Sequence, residues 1–376
     1  MTPRRTLLLT LLLVALIAVG LWYYGPHRAT SPEPAAPVAV AHPIGAAITI
    51  TPPLGLPPVR VPRDNPPTAE TIALGRRLYY DPILSVDNTI SCASCHAPEA
   101  GFADPRPVSV GVGGKKGTRN SPTVINAAYN TTQFWDGRSL TLEKQAEGPV
   151  QNPVEMVHTL EGVERKLMAD VSYREEFKRA FGADRITYDM VAKAIASFER
   201  SVLAANSPFD RYFYGGEKNA LSPAARRGLE IFRDPKKGNC AVCHTLEQQH
   251  ALFTDNKFHN LGVGVRQGPG GEPEFTDRGR YEVTKVQSDK GAFKTPTLRN
   301  IAQTAPYMHD GSLKTLKDAI DFYVGGGNSN PHRDKEIHAL DFLTGQERAD
   351  LLAFLESLTC PLPPDVGPPP ATAGQE

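Results

Sequence analysis

Two pentapeptides hold the residues most able to do chemistry: Cys92-Ala93-Ser94-Cys95-His96 and Cys240-Ala241-Val242-Cys243-His244. Two thiols on one helical turn can add to the two vinyl groups of a porphyrin, and the adjoining imidazole can swing beneath the ring to ligate its iron. This is the attachment motif of c-type haem. With 5 Cys and 10 His among 376 residues, chance supplies about 0.002 such matches. Two matches therefore predict two covalently bound c-type haems, with His96 and His244 on the irons. A pair of disulfides or a cysteine-rich zinc site is the competing reading, but neither needs a histidine directly after both cysteine pairs. Cys360 is left over, either as a free thiol or as half of an intermolecular bridge.

The rest of the chain must position these groups. Its length corresponds to about two and a half domains. At 40% hydrophobic and 22% charged residues, the composition argues against wholesale disorder and against a polytopic membrane protein. Lys plus Arg equals Asp plus Glu at 41 each, so no broad basic field awaits a nucleic acid. Gly 32 and Pro 34 point to long loops.

At the N-terminus, Arg4 and Arg5 precede an apolar run from Leu7 to Tyr24, broken by Thr10 and Gly20. The run is just long enough to span a bilayer. It reads as a signal-anchor over 1–25 with its positive end inside. A cleaved signal peptide is the alternative, its first good site being Ala39-Val40-Ala41. Either exports the remainder, in a bacterium to the periplasm, where c-type haems are made.

Residues 26–66 read as a Pro-rich tether. Helical periodicity begins after Thr68 with Ile72, Leu74, Leu78 and Tyr79, and closes at Asp81-Pro82. The pattern recurs behind Ser222-Pro223 with Leu229, Ile231 and Phe232, and closes at Asp234-Pro235. Each copy precedes a Cys-x-x-Cys-His motif, so 67–205 and 206–360 are read as related halves. Val191, Ala194, Ile195, Phe198 and Val202 share one helical face, and Thr344 with Glu347 forms a capping box before a last helix. The stretch 205–220 reads as a hinge and 361–376 as a disordered tail. The fold class expected is mainly α.

Between the haem motifs lie Arg119-Asn120-Ser121-Pro122-Thr123, Phe134-Trp135-Asp136-Gly137-Arg138, Gln145, Gly148-Pro149 and Glu155. Later come Thr297-Leu298-Arg299-Asn300 and Pro306-Tyr307-Met308-His309-Asp310-Gly311. In this order, over roughly residues 66–360, the chain resembles the bacterial di-haem cytochrome c peroxidase and MauG family. The resemblance implies two cytochrome-c-like domains with one haem each and calcium near their interface. It puts the peroxidatic haem on His96, a catalytic glutamate at Glu155, a pocket glutamine at Gln145 and an inter-haem tryptophan at Trp135. It maps calcium onto the Asn120 side chain and the carbonyls of Thr304 and Pro306, oxygen donors suited to a hard cation. A carboxylate in such a pocket can move a proton from the near to the departing peroxide oxygen.

Two departures from the peroxidase pattern matter. The loop histidine that caps the resting peroxidatic iron falls on Val112, which cannot ligate, so that haem is expected to stay open. The distal methionine of the second haem falls on Tyr323, the MauG pattern, with Met308 as the competing ligand. The expected function is reduction of hydrogen peroxide with electrons from a small cytochrome c, a cupredoxin or a protein substrate. A non-enzymatic electron-transfer cytochrome is the rival from another class, and an anchored peroxide sensor a third reading.

Overall fold

The computed structural model describes residues 41–370. The expected membrane anchor and the start of the tether lie outside the described residues. No helix among those described is long and apolar enough to cross a membrane.

Each half is built around one pair of crossed helices. In the first, α1 (Ala69–Tyr80) starts at Thr68, whose side chain accepts from the Thr71 N–H in a reciprocal capping box. It buries Leu74, Leu78 and Tyr79. Four helices follow the first haem motif: α2 (Leu142–Gln151), α3 (Leu160–Ala169), α4 (Val171–Phe181) and α5 (Tyr188–Glu199). Helix α1 crosses α5 at Gly75, where a Cβ would overlap the Ala194 carbonyl. After α6 (Pro208–Phe213), the second half repeats the plan. Helix α7 (Pro223–Arg233) is capped by Ser222 with Pro223 in its first turn. It crosses the last helix at Gly228, against the Asp350 carbonyl. The recurring helix expected after Thr68 and after Ser222 is present in each half, and each copy packs against the Cys-x-x-Cys-His turn that follows it.

Short elements fill the second half: β1 (Phe258–His259), β2 (Val265–Gln267), β3 (Pro273–Phe275), α8 (Tyr281–Thr284), β4 (Phe293–Lys294), α9 (Leu316–Val324) and α10 (Gly345–Glu356). Strand β1 pairs antiparallel with β4, and β2 with β3. The Thr344–Glu347 capping box forms as expected. Phe209, Phe232, Phe253 and Phe354 make the aromatic centre of this half, with Phe232 and Phe354 centroids 5.0 Å apart.

The segments read as tether, hinge and tail carry specific contacts. Residues 41–66 do not hang free: Ile44 N–H donates to the Ala180 carbonyl, and Lys193 Nζ to the Ala41 carbonyl. The Gly55 carbonyl accepts from Arg299 Nη2. The expected hinge contains α6, whose Asp210 holds Arg299 in a bidentate pair at 2.8 and 2.9 Å with both side chains fully buried. The described part of the tail, 361–370, lies along α1, with Tyr80 donating to the Val366 carbonyl and Arg76 to those of Gly367 and Pro368. Proline-rich composition signals a lack of helix, but such a chain still orders when neighbouring side chains satisfy its carbonyls.

Candidate active site

Both Cys-x-x-Cys-His motifs begin as single 3₁₀ turns, Cys92–Ser94 and Cys240–Val242. Each lines its own cavity, about 730 Å³ for the first and 230 Å³ for the second. No disulfide joins any two of the five cysteines within the chain. The two histidines are held alike. His96 Nδ1 lies 2.9 Å from the Pro122 carbonyl, and His244 Nδ1 lies 2.9 Å from the Phe253 carbonyl. A carbonyl can only accept, so each Nδ1 carries the proton and each Nε2 is left as a lone pair for a metal. Burial lowers both pKa values and keeps the rings neutral. Two thiols and a pre-oriented imidazole facing each cavity fit a c-type haem.

The larger cavity brings together His96, Gln145 and Glu155. Gln145 lies on α2, one turn ahead of Pro149. Glu155 follows the helix, and its Oε1 accepts from Asn152 Nδ2 at 2.5 Å. Burial raises its pKa against the opposing pull of Arg138. Val112, where a capping histidine was sought, sits in a turn whose backbone N–H donates to the Glu155 carbonyl at 2.8 Å. Lys115 adds a second tie from this loop, to the Pro153 carbonyl.

Trp135 lines both cavities. Its Nε1 donates to the Asn120 carbonyl at 2.9 Å, and its own carbonyl accepts from Lys294 N–H at 2.8 Å. The indole therefore stands in the wall between the two sites. Phe134 and Gly137 on either side take left-handed backbone conformations that make this tight turn.

Around the smaller cavity stand His244, Tyr323, Met308 and His309. Tyr323 comes from α9, and burial pushes its phenol well above the usual range. His309 stacks on Phe293 at 3.6 Å, and burial lowers its pKa to about 4. Asn120, Thr304 and Pro306 also face this cavity. Asn120 Nδ2 donates to the Asp104 and Arg106 carbonyls, which turns Oδ1 away from them. No donor among the described residues reaches that oxygen or the Thr304 and Pro306 carbonyls, so the three fit a hard cation. Cys243, Asp255 and His259 also cluster within 4.8 Å. Cys243 belongs to the second Cys-x-x-Cys-His motif, so this cluster overlaps that motif.

Sequence reading missed several cavity residues. Phe275, Thr276, Asp277 and Arg278 come from the second half yet line the first cavity. Asp277 and Asp136 clamp Arg119, with Arg119 Nε 2.6 Å from Asp277 and Nη1 2.7 Å from Asp136. Glu199 lines the same cavity from α5, and burial raises its pKa to about 8. Only the fold brings such distant segments together, although a charged residue on the apolar face of α5 was a readable signal.

A mainly helical chain with two cavities, each lined by a Cys-x-x-Cys-His motif and one also by a glutamate and a glutamine, has the layout of a di-haem cytochrome c peroxidase. Residues 69–219 match the model of the di-haem cytochrome c peroxidase family, and residues 225–359 that of cytochrome c. Methylamine utilization protein MauG of Methylorubrum extorquens is 38% identical over 298 residues, covering 79% of this chain and 80% of that protein. Cytochrome c551 peroxidase of Pseudomonas aeruginosa is 37% identical over 299 residues, covering 79% and 81%. A solved MauG-like protein associated with microbial copper homeostasis superposes with a TM-score of 0.74 at 36% identity, over 84% of this chain and 96% of that one. The chain belongs to the di-haem cytochrome c peroxidase and MauG family, and it is an oxidoreductase with two c-type haem domains.

Proposed function

We propose that this protein reduces hydrogen peroxide in the periplasm at a first haem that is open without prior reduction, and that Tyr323 ligates the second haem. The haems supply the electron storage and the iron that activates peroxide. The observation that carries this reading is the convergence of His96, Gln145 and Glu155 on one cavity that Trp135 also lines. Glu155, raised in pKa by burial, takes a proton from one peroxide oxygen and returns it to the other. Gln145 orients the peroxide by hydrogen bonding. Trp135 is the aromatic relay between the two sites, bonded to the backbone of both halves.

Val112 supports the open site, because it offers no ligand and its loop is bonded to the Glu155 backbone. Tyr323, presented by α9 to the smaller cavity, would supply the ligand to the second haem in preference to Met308, which also lines it. A hard phenolate lowers the potential of that haem relative to a thioether. Electrons enter from a small cytochrome c, a cupredoxin or an oxidisable protein near Val242, which is exposed between the two cysteines of the second motif. Calcium binds Asn120, Thr304 and Pro306, and the apolar run from Leu7 to Tyr24 exports and anchors the chain.

The test is one equivalent of peroxide added to the as-isolated diferric protein, followed by optical and low-temperature EPR spectra. Prompt loss of both ferric signals supports an open site coupled to a Tyr-ligated partner. A reaction that waits for reduction of one haem rejects the open-site reading. No reaction in any redox state leaves an electron-transfer cytochrome.

A further inference from the structure

Between the two cavities stands a cation that the peroxide chemistry leaves unused. Lys294 lines both of them. It is 8% exposed, and no carboxylate among the described residues pairs with its ammonium. Its backbone is fixed on two sides: β4 pairs Lys294 with Phe258, and its N–H donates to the Trp135 carbonyl at 2.8 Å. The side chain is thus held at the wall where Trp135 also stands. Burial alone, with no partner charge raising it, lowers its pKa to about 8.

An ammonium that lines a cavity without a carboxylate partner is favoured by an anion brought into that cavity. Three of the carboxylates that line the first cavity are already engaged. Asp136 and Asp277 are held by Arg119, and Glu155 by Asn152. The cofactor brings further anions. Each c-type haem carries two propionate carboxylates, on the side of the ring away from its thioether bonds. Both cavities reach Lys294.

We propose that Lys294 is a positioning residue that pairs with a haem propionate on the wall between the two sites and so holds up the reduction potential of the haem it grips. The proposal rests on the di-haem reading above. A propionate neutralised by a fixed ammonium puts less negative charge near the iron, and the reduced state is then easier to reach. The pair comes from the haem of either site, and the measurement tells them apart.

The experiment is spectroelectrochemical titration of both haems in the holoprotein, comparing wild type with Lys294→Met and Lys294→Arg. A lowered midpoint in Lys294→Met, restored in Lys294→Arg, is the expected result. The haem whose midpoint moves more is the one that owns the propionate. Unchanged midpoints in Lys294→Met with both haems bound overturn the proposal. Should Lys294→Met fail to incorporate haem, resonance Raman on the wild type decides. The propionate bending band is expected to shift in D₂O because an exchangeable N–H proton contacts it, and no shift overturns the proposal. Failure of the underlying reading looks different: the wild type then shows no reaction with peroxide or lacks a second haem.

Discussion

The backbone N–H of Val112 donates to the carbonyl of Glu155 at 2.8 Å. The position that lacks a capping ligand is therefore bonded directly to the residue assigned to proton transfer. A loop that must swing away before peroxide enters would have to break this bond and that between Lys115 Nζ and the Pro153 carbonyl. Val112→His keeps the backbone bond while adding an imidazole. It is expected to slow the reaction of the fully oxidised protein with peroxide, with the rate recovered after one-electron reduction. Stopped-flow mixing of both redox states checks this, and equal rates for wild type and variant reject it.

Glu155→Gln preserves shape and the contact to Asn152 but removes the proton carrier. Peroxide turnover should drop by about 10²- to 10⁴-fold, the range for a lost general acid–base group. The base form of Glu155 is the active one, and burial raises its pKa above the ordinary glutamate value. Wild-type kcat/KM should therefore fall as pH drops through that raised value, and the fall should disappear in the variant. A turnover within a few-fold of wild type would show that another group moves the proton.

Tyr323→Met exchanges a hard oxygen donor for a soft thioether. The second haem's midpoint should rise, read by spectroelectrochemistry with the first haem as an internal reference. Met308→Leu should leave that midpoint in place. If Met308→Leu shifts it and Tyr323→Met does not, the ligand assignment is reversed.

Arg299 and Asp210 form an ion pair with no exposed surface on either side chain. Asp210→Asn leaves a buried guanidinium short of its counterion and should cost about 3–5 kcal/mol, seen as a lower midpoint in chemical denaturation. The same Arg299 holds the Gly55 carbonyl. Limited proteolysis within residues 41–66 should accordingly speed up in the variant.

Glu199 is buried at the first cavity with a pKa raised to about 8 from 4.5. Its folded-state pKa exceeds the unfolded one, so between these values the native state holds more protons. Stability then falls as pH rises from about 5 to about 8, by on the order of a few kcal/mol from this group. Glu199→Gln should flatten the decline in that window, which a series of denaturation curves at increasing pH would show.

The sequence by itself pointed to the haem attachment residues, because the covalent chemistry requires two thiols and an imidazole at fixed short spacing. It also determined the main helices, since the periodicity and caps at Thr68, Ser222 and Thr344 are local signals. Motif order pointed to Gln145, Trp135 and Glu155. Tertiary structure decided which of these share a cavity, and it placed Trp135 and Lys294 on the wall between the two. It also brought Asp277 across to Arg119, 158 residues away in the chain. It turned the supposed tether, hinge and tail into packed segments as well. Their order comes from hydrogen bonds to distant side chains, notably Arg299, Lys193, Tyr80 and Arg76. Local composition registers whether a segment can be helical, whereas the partners that satisfy its backbone are chosen only when the chain has folded.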